Sequence, residues 1–448
     1  MDFKNKKITV MGLGLLGRAL GDISYLAQKG ADIIVTDLKT EKELAPSIKA
    51  LKKYKNIKYH LGGHSVEDFK NRDIVLHAPN APRDSIYLET ARKNGALVTQ
   101  GTALFASLTH GTILGITGTR GKSTTTHLIY HILKKYLRSK KQKVFLGGNV
   151  KGVSTLAMID KVKKGDIVVM ELDSWQLESF GKLGISPKYA GVTTFMPDHL
   201  NYYKGNLDAY LEDKAQIFLH QKSSDFLVLG ESVADIIMKK YGAKIKSEII
   251  IAKKDDAKKY KIKIPGEHNL DNISVAIELC KKLKIPEKII KLGVESYRGI
   301  EGRLEFVKTV KGVKIYNDTC ATTPDATLMG LRALSEGKNA SGSPKIALIM
   351  GGADKQIDMS RLTKYVAKYA KTVVLLPGTG SDKVREILRQ KVAYFYEANT
   401  LKSAVLVAQK LSKKGDIILF SPAFASFGMF ANEFDRGEKF LEIVKKLK

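Results

Sequence analysis

The sequence predicts an α/β protein with parallel sheets that carry helices on both faces. Short apolar strands alternate with helical patterns along the chain, and two glycine-rich loops each follow a strand and precede a helix. The 448 residues suffice for several domains with cores of their own. We predict three domains: a Rossmann-like domain at 1–108, a central domain with a P-loop ATPase-like parallel sheet at 109–299, and a second Rossmann-like domain at 300–448.

The first glycine-rich loop reads Gly12-Leu-Gly14-Leu-Leu-Gly17 and follows a strand at 7–11. A helical pattern comes next, and a second strand then ends at Asp37, about 20 residues after the last glycine. In this spacing the loop faces a diphosphate and the acidic residue faces a sugar hydroxyl. The pattern fits an NAD enzyme and fits a UDP-sugar equally well, so it predicts a nucleotide without choosing which one.

The second loop, Thr117-Gly-Thr-Arg-Gly-Lys-Ser123, is called the phosphate loop below, and it predicts ATP binding. Backbone N–H groups and the dipole of the following helix would face the phosphates, Lys122 would add positive charge, and the Ser123 hydroxyl would reach Mg²⁺. Ile116 stands where the common G-x-x-x-x-G-K-[ST] pattern has its first glycine, so the loop is a variant. A plain glycine turn is the alternative, and the strand–loop–helix context argues against it.

Three further residues follow predicted strands. Glu171 ends a strand that begins at Asp166, His199 comes shortly after a strand at 190–195, and Asp318 ends a strand that begins at Val313. Ligands of open parallel sheets bind at the carboxyl ends of the strands. Glu171 or Asp318 alone is equally well explained as a cap or turn former, and a lone histidine such as His199 is more often structural. Their shared placement predicts Mg²⁺ and phosphate binding.

Composition narrows the class of protein. The formal charge of +29 suggests nucleic-acid binding, but the lysines are spread over the whole chain, which favours a solvated surface suited to anionic substrates. The two cysteines predict neither a disulfide framework nor a metal cluster. No apolar segment is long enough for a bilayer, so we expect a cytoplasmic protein without membrane contact.

Together these motifs resemble the Mur ligase family over essentially the whole chain. The segment Glu171-Leu-Asp-Ser-Trp-Gln-Leu-Glu178 and the series Asp198-His199, Tyr210 and Lys214 are similar to family motifs. The resemblance implies an ATP- and Mg²⁺-dependent amide ligase of peptidoglycan synthesis that works through an acyl phosphate. It also implies UDP-N-acetylmuramoyl-L-alanine and an amino acid, with D-glutamate favoured, as substrates, and a monomer as the state of the chain.

The resemblance also implies a role for residues in each domain. Those that would contact ATP are Gly118, Thr119, Arg120, Gly121, Lys122, Ser123, Thr124, Asn269, Asn272, Arg303 and Asp318. Those that would contact the UDP-sugar are Gly14, Leu15, Leu16, Asp37 and Asn149. Those that would hold the amino acid are Thr322, Lys355 and Ser426. The implied catalytic residues are Lys122, His199 and Lys214. The implied Mg²⁺ ligands are Ser123, Glu171, His199 and Lys214, the last as a carbamate.

Four positions depart from the family pattern. Arg120 replaces an asparagine of the phosphate loop, and Lys39 replaces an arginine after Asp37. Cys320 replaces a lysine, and Glu433 stands where an aromatic residue is common. Because the last two lie on the amino-acid side, a different acceptor stays open, as in pseudomurein or folylpolyglutamate ligases. A non-catalytic nucleotide- or nucleic-acid-binding protein is the alternative from another class.

Overall fold

The computed structural model describes residues 1–15, 17–79, 81–150, 152–198, 202–335, 345–426 and 428–448. The chain forms two compact units, one of Met1–Tyr260 with Asp271–Val294 and one of Lys261–Leu270 with Glu295–Lys448. Within the described residues, the first unit contains two β-sheets and the second contains one. The predicted α/β class is confirmed, while the predicted domain boundaries stay predictions.

The first sheet, in the described part of the chain, consists of β1 (Lys7–Met11), β2 (Asp32–Asp37), β3 (Ile57–Leu61), β4 (Ile74–His77) and β5 (Leu97–Thr99). Its helices are α1 (Arg18–Gln28), α2 (Glu41–Leu51), α3 (Ile86–Lys93) and α4 (Gly101–Leu108). The strand order is β3-β2-β1-β4-β5, and all neighbouring strands are parallel. The order reverses at β1, so the loop after β1 lies where open parallel sheets bind ligands.

Alternating residues of these strands pack on opposite faces of the sheet. Ile8 and Val10 of β1 join one buried cluster, while Met11 joins a second cluster with Val75 and Leu88. This period of two is that of a strand covered on both sides. The buried faces fix the strand ends, and so they fix the loops that follow them.

The second sheet, within the described ranges, consists of β6 (Thr112–Thr117), β7 (Val144–Gly148), β8 (Ile167–Glu171), β9 (Tyr189–Val192), β10 (Phe226–Gly230) and β11 (Glu248–Ala252). Its helices are α5 (Lys122–Tyr136), α6 (Ser174–Lys182), α7 (Leu207–Ala215), α8 (Glu231–Tyr241), α9 (Lys254–Lys258), α10 (His268–Lys282) and α11 (Glu287–Ser296). The strand order is β11-β10-β9-β6-β8-β7, and neighbouring strands are parallel. Helix α10 enters the first unit at Asp271, and α11 leaves it after Val294.

The strand predicted at 190–195 ends earlier, at Val192. Beyond it, Thr193 N donates to Thr117 O at 3.0 Å, and Thr194 Oγ1 accepts from Arg120 N at 2.9 Å. The ladder therefore stops because these two threonines bond to the phosphate loop.

The third sheet, among the described residues, consists of β12 (Glu305–Val310), β13 (Val313–Asn317), β14 (Ile346–Met350), β15 (Ala370–Leu375), β16 (Tyr394–Glu397) and β17 (Ile417–Phe420). Its helices are α12 (Pro324–Ser335), α13 (Ser360–Tyr369), α14 (Thr379–Lys391), α15 (Leu401–Leu411) and α16 (Glu433–Lys445). The strand order is β12-β13-β17-β14-β15-β16.

This third sheet is mixed, so the prediction of a wholly parallel sheet is wrong for its edge. Strand β12 pairs antiparallel with β13. Lys311 and Gly312 connect the two strands, with φ of 49° and 80°. Two successive positive φ angles are typical of the tight hairpin turn that matches strand twist.

No helix in the described ranges is both long and apolar enough to cross a membrane.

Candidate active site

The phosphate loop joins β6 to α5 through two glycines in unusual conformations. Gly118 has a φ of 147° and Gly121 a φ of 87°, both of which favour glycine. A Cβ atom on Gly118 would lie 2.1 Å from Thr193 Oγ1, so a larger residue does not fit. The structure therefore requires glycine where the sequence motif has it.

The N-terminus of α5 is arranged to receive an anion. Its cap residue Gly121 makes no side-chain capping bond, and its first turn contains no acidic residue. Lys122 Nζ donates to Gly118 O at 2.9 Å and to Thr119 O at 3.2 Å, which places its charge over the loop. Ser123 and Thr124 lie in the same first turn, where helix N–H groups bind phosphates. The predicted ATP residues 118–124 thus lie together.

Lys214 of α7 lies against the same loop. It is 2% exposed, and its Nζ donates to Gly118 O at 2.9 Å. The ammonium group lies 4.7 Å from the ring centroid of Tyr210. Burial, and then repulsion by the charge of Lys122, lowers the pKa of Lys214 well below its usual range. Two predicted catalytic lysines therefore converge on one carbonyl oxygen.

Glu171 lies beside the phosphate loop at the end of β8. It pairs in register with Ile116 of β6 on one side and with Gly148 of β7 on the other. The next residue after β7, Asn149, donates its N–H to Glu171 O at 2.7 Å. A predicted metal ligand and a predicted sugar contact thus meet at one edge of the sheet.

The oxygen ligands present fit a Mg²⁺ ion. Glu171 is 5% exposed and lies in register with Ile116, next to the phosphate loop. Mg²⁺ prefers carboxylate and hydroxyl oxygens such as those of Glu171 and Ser123. His199 lies outside the described residues, and the described ranges contain no cluster of three His, Cys, Asp or Glu placed for a metal. Lys214 as an ammonium ion cannot be a ligand.

The glycine-rich loop of the first sheet is held by Asp37. Asp37 Oδ2 accepts from Leu13 N at 2.8 Å and from Gly14 N at 3.1 Å, and Oδ1 accepts from Lys39 N at 2.9 Å. Its carboxylate therefore shapes the loop, and its predicted contact with the nucleotide stays a prediction. Leu15 is 55% exposed at the tip of the loop, and Leu16 lies outside the described residues.

Arg18 connects this loop to the second sheet. It is the first residue of α1, and its Nη1 donates to Asn149 Oδ1 at 2.8 Å. The amide nitrogen of Asn149 is thereby the group turned away from Arg18. Asn149, a predicted UDP-sugar residue, is therefore bonded to the helix that follows the glycine-rich loop.

Arg120 of the phosphate loop and Asn272 of α10, both predicted ATP residues, make further contacts here. Arg120, which departs from the family pattern, forms an ion pair with Asp198 at 2.9 Å. Asn272 packs on Gly121 so closely that a Cβ atom there would lie 1.9 Å from Asn272 Oδ1. Thr125 Oγ1 donates to Asn272 O at 3.0 Å, which fixes α10 against α5.

The remaining predicted ATP residues belong to the second unit. Asn269 Nδ2 donates to Pro265 O at 2.7 Å. Asp318 accepts from Leu304 N at 3.1 Å and from Ser421 Oγ at 2.7 Å. Burial raises the pKa of Asp318 to about 7, although these bonds and the charge of Arg303 lower it. Arg303 and Asp318 are thus close enough to interact.

The predicted amino-acid residues also lie in the second unit. Lys355 Nζ donates to Thr322 Oγ1 at 2.9 Å, so two of them are in direct contact. An antiparallel bridge between Ala353 and Ala425 brings the chain segment of Lys355 to that of Ser426. Burial lowers the pKa of Lys355, and the charge of Glu433 opposes this shift.

Arg436 is a residue whose environment the sequence did not reveal. It is 1% exposed, and its guanidinium donates to Thr319 Oγ1, Thr319 O and Phe424 O at 2.9–3.2 Å, all neutral acceptors. Burial lowers the pKa of Arg436 to about 10, against the charge of Glu433. We call Thr322, Lys355, Ser426 and Arg436 the acceptor cluster. No local signal marks Arg436 as buried, because only long-range packing covers it.

Two of the departures from the family pattern adjoin this cluster. Burial raises the pKa of the Cys320 thiol, so this residue supplies no cation where the family has lysine. Glu433 is the first residue of α16, and it forms no ion pair with Arg436 among the described residues. The cluster therefore keeps two cations, Lys355 and Arg436.

Comparisons with known proteins cover the same three parts of the chain. Residues 6–100 match the Mur ligase MurD-like N-terminal domain, residues 116–257 match the Mur ligase middle domain, and residues 302–424 match the Mur ligase glutamate ligase domain. Each match contains one of the predicted site regions.

Whole-length relatives give the same family. The UDP-N-acetylmuramoylalanine--D-glutamate ligase of Roseiflexus sp. is 34% identical over 99% of both chains. The ligase of the same name from Borreliella burgdorferi is 35% identical over 100% of this chain and 99% of its own.

Solved structures share the fold. The UDP-N-acetylmuramate-alanine ligase of Thermotoga maritima has a TM-score of 0.61 at 20% identity, covering 98% of this chain and 99% of its own. The MurF ligase of Thermotoga maritima in complex with ADP has a TM-score of 0.60 at 17% identity, covering 100% and 98%. Fold, domain matches and whole-length identity agree: the chain belongs to the Mur ligase family.

Proposed function

We propose that the protein is an ATP- and Mg²⁺-dependent ligase that joins D-glutamate to UDP-N-acetylmuramoyl-L-alanine in cytoplasmic peptidoglycan synthesis. The observation that carries this proposal is the similarity to ligases of that name, because it spans all three sheets at 33–36% identity. The site geometry supports it, since the phosphate loop, the glycine-rich loop of the first sheet and the acceptor cluster are all present. A monomer is the proposed state.

The reaction proceeds in two steps. A carboxylate oxygen of the UDP-sugar substrate attacks the γ-phosphorus of ATP, which forms an acyl phosphate and releases ADP. The amine of D-glutamate then attacks the acyl carbon, phosphate leaves, and the amine loses a proton as the amide forms. ATP activates the carboxylate, so no nucleophilic side chain is needed, and the protein acts by positioning anions and balancing their charge.

Lys122 neutralises phosphate charge in the first step. Its Nζ lies over the phosphate loop, 2.9 Å from Gly118 O, and the uncapped N-terminus of α5 adds partial positive charge. Glu171 and Ser123 would hold Mg²⁺, which would supply further positive charge at the phosphate oxygens.

Lys214 acts as a carbamate. Its neutral amine nitrogen bonds to the carbon of CO₂ and releases one proton as the carbamate forms. Starting from the ammonium cation, two protons are released in all, so a cation becomes an anionic oxygen donor. The pKa of Lys214, lowered by burial and by Lys122, supports this step because a neutral amine is the form that reacts. The carbamate would complete an oxygen-rich site with Glu171 and Ser123.

The acceptor cluster holds D-glutamate. Its two cations, Lys355 and Arg436, match the two carboxylates of the amino acid in number, and the hydroxyl groups of Thr322 and Ser426 add donors. The MurD-like match at 6–100 favours a UDP-sugar over a folyl substrate. The joint presence of Lys122, Glu171 and Lys214 at one sheet edge disfavours a non-catalytic protein.

The test is release of phosphate from ATP with UDP-N-acetylmuramoyl-L-alanine and a panel of D- and L-amino acids. We expect turnover with D-glutamate and little with the others. Turnover with a neutral or basic amino acid, and none with D-glutamate, would overturn the acceptor while leaving the ligase class intact. No turnover with any acceptor would contradict the ligase itself.

A further inference from the structure

Arg83 connects the first sheet to two helices of the second sheet. It lies in the segment between β4 and α3. Its Nη2 forms an ion pair with Asp213 Oδ2 of α7, and its Nε lies 3.7 Å from Glu178 Oε2 of α6. The guanidinium of Arg83 thus connects the segment before α3 to both α6 and α7.

The Asp213 end of this contact is buried and doubly bonded. Asp213 is 6% exposed, and the same oxygen accepts from Tyr203 OH at 2.8 Å. A buried carboxylate that accepts from two donors is held in one position. Removing its cationic partner would leave a buried charge unpaired, which destabilises the fold. Asp213 immediately precedes Lys214, so whatever fixes Asp213 also fixes the backbone that carries Lys214.

A row of aromatic rings runs from Arg83 to the phosphate loop. The guanidinium lies 5.2 Å from the ring centroid of Tyr203, and that ring lies 5.0 Å from the ring of Tyr210. Tyr210 OH lies 3.3 Å from Thr119 Oγ1 of the phosphate loop, and the Lys214 ammonium lies over the Tyr210 ring. The contacts are continuous from Arg83 to the place where Lys214 meets Gly118.

Ala78, which follows β4, approaches the glycine-rich loop of the first sheet. A Cβ atom on Gly12 would lie 3.0 Å from Ala78 Cβ, so the two loops are packed together. Arg83 therefore lies between the segment that shapes the predicted UDP-sugar site and the helix that carries Lys214.

We propose that Arg83 is a positioning residue that holds the Lys214 end of α7 against the phosphate loop and couples it to residues 81–85 before α3. The inference rests on the proposed function for its catalytic consequence. Nothing in the motifs that identify the family involves Arg83 or Asp213. An arginine that merely joined the two sheets would act on stability alone. The matched control is the ion pair at 2.7 Å between Lys29, just after α1, and Asp160, in the segment between β7 and β8.

The first measurement is amide hydrogen exchange of the whole chain in Arg83→Met and, as a matched control, Lys29→Met. We expect faster exchange within 207–215 in Arg83→Met and unchanged exchange there in Lys29→Met. Unchanged exchange of α7 in Arg83→Met would overturn the proposal, and this readout needs no ligase activity. If Arg83→Met does not fold, Arg83→Lys takes its place, because a lysine keeps the charge but cannot engage Asp213 and Glu178 together.

The second measurement separates positioning of Lys214 from any other effect on turnover. Arg83→Met should lower kcat about tenfold to a hundredfold, the scale of a small misplacement, with KM for ATP nearly unchanged. In a Lys214→Ala background restored by formate, the same substitution should have little further effect, because the side chain that it positions is gone.

An equal loss of kcat in both backgrounds would contradict the proposal, since Arg83 would then act without Lys214. Failure of the wild type to turn over ATP with D-glutamate would instead contradict the proposed function, and the exchange experiment would still decide whether Arg83 holds α7.

Discussion

The phosphate loop of the first unit and the acceptor cluster of the second differ in how their parts are distributed along the chain. The loop occupies consecutive residues, 117–123, and its glycines are required by backbone angles and close contacts. The acceptor cluster draws on residues from Thr322 to Arg436 that meet only because strands and helices pack. A site built from consecutive residues can be predicted from a sequence motif, whereas a site built from distant residues becomes visible only in the contacts of the folded chain.

The first prediction concerns the motif itself and carries the largest expected effect. Lys122→Ala should lower turnover by about 10²- to 10³-fold, the scale of losing one electrostatic group at the transition state. The melting temperature should change little, because the side chain contributes charge over a surface loop. The control is Lys134→Ala on the exposed last turn of α5. Near-wild-type turnover of a folded Lys122→Ala enzyme would show that Lys122 does not neutralise phosphate charge.

The second prediction concerns the buried lysine that joins the loop from far along the chain. Lys214→Ala should lower kcat about tenfold to a hundredfold, as expected when a group that orders a metal site is lost. Short carboxylic acids should restore part of the activity by replacing the carbamate oxygens. The exposed Lys222→Ala is the control and should not respond to the acids. Full activity of Lys214→Ala without additives would refute the carbamate role.

The third prediction addresses the acceptor cluster. Lys355→Ala removes a charge-assisted contact worth about 1.5–3 kcal/mol, so KM for D-glutamate should rise about tenfold to a hundredfold. KM for ATP should stay unchanged, and Lys368→Ala on the exposed face of α13 should behave as wild type. A rise in KM for ATP, with none for D-glutamate, would show that Lys355 serves the nucleotide instead.

The last prediction concerns the stability of the second unit rather than its turnover. The folded-state pKa of Asp318 is raised to about 7, so its contribution to stability is fully present below the usual carboxyl pKa and is lost as pH rises toward 7. The free energy of unfolding should therefore fall over that range, because the unfolded chain releases the Asp318 proton while the folded protein keeps it.

Asp318→Asn should flatten this pH dependence in thermal unfolding, since an amide does not ionise. The control is Asp325→Asn, which alters an exposed carboxylate on α12. An unchanged pH profile in Asp318→Asn would show that another group controls the stability of this unit.

Much of the fold was predictable because strand and helix patterns are local. The glycine spacing of both loops, and the placement of Glu171 and Asp318 at strand ends, followed from the sequence. The antiparallel edge strand β12 did not, because its pairing depends on the positive φ angles of Lys311 and Gly312 rather than on an apolar run. The end of β9 at Val192 was likewise set by threonine contacts with the phosphate loop.

The site was less predictable where charges are buried. The family resemblance supplied Lys214, but its contact with Gly118 O and the effect of Lys122 on its pKa are products of packing. Arg83 carries no motif that distinguishes it from surface arginines, and nothing local to Arg436 marks it as buried. Their partners lie far away in sequence, so only the structure shows that one is doubly paired and the other fully enclosed.

In the proposed reaction, ATP activates the carboxylate of the UDP-sugar substrate for attack by D-glutamate. The most direct test uses UDP-N-acetylmuramoyl-L-alanine labelled with ¹⁸O in that carboxylate, together with ATP and D-glutamate. Mass spectrometry of the released phosphate should show one labelled oxygen, because the acyl phosphate breaks at the carbon–oxygen bond. Unlabelled phosphate accompanying amide formation would contradict the acyl-phosphate mechanism.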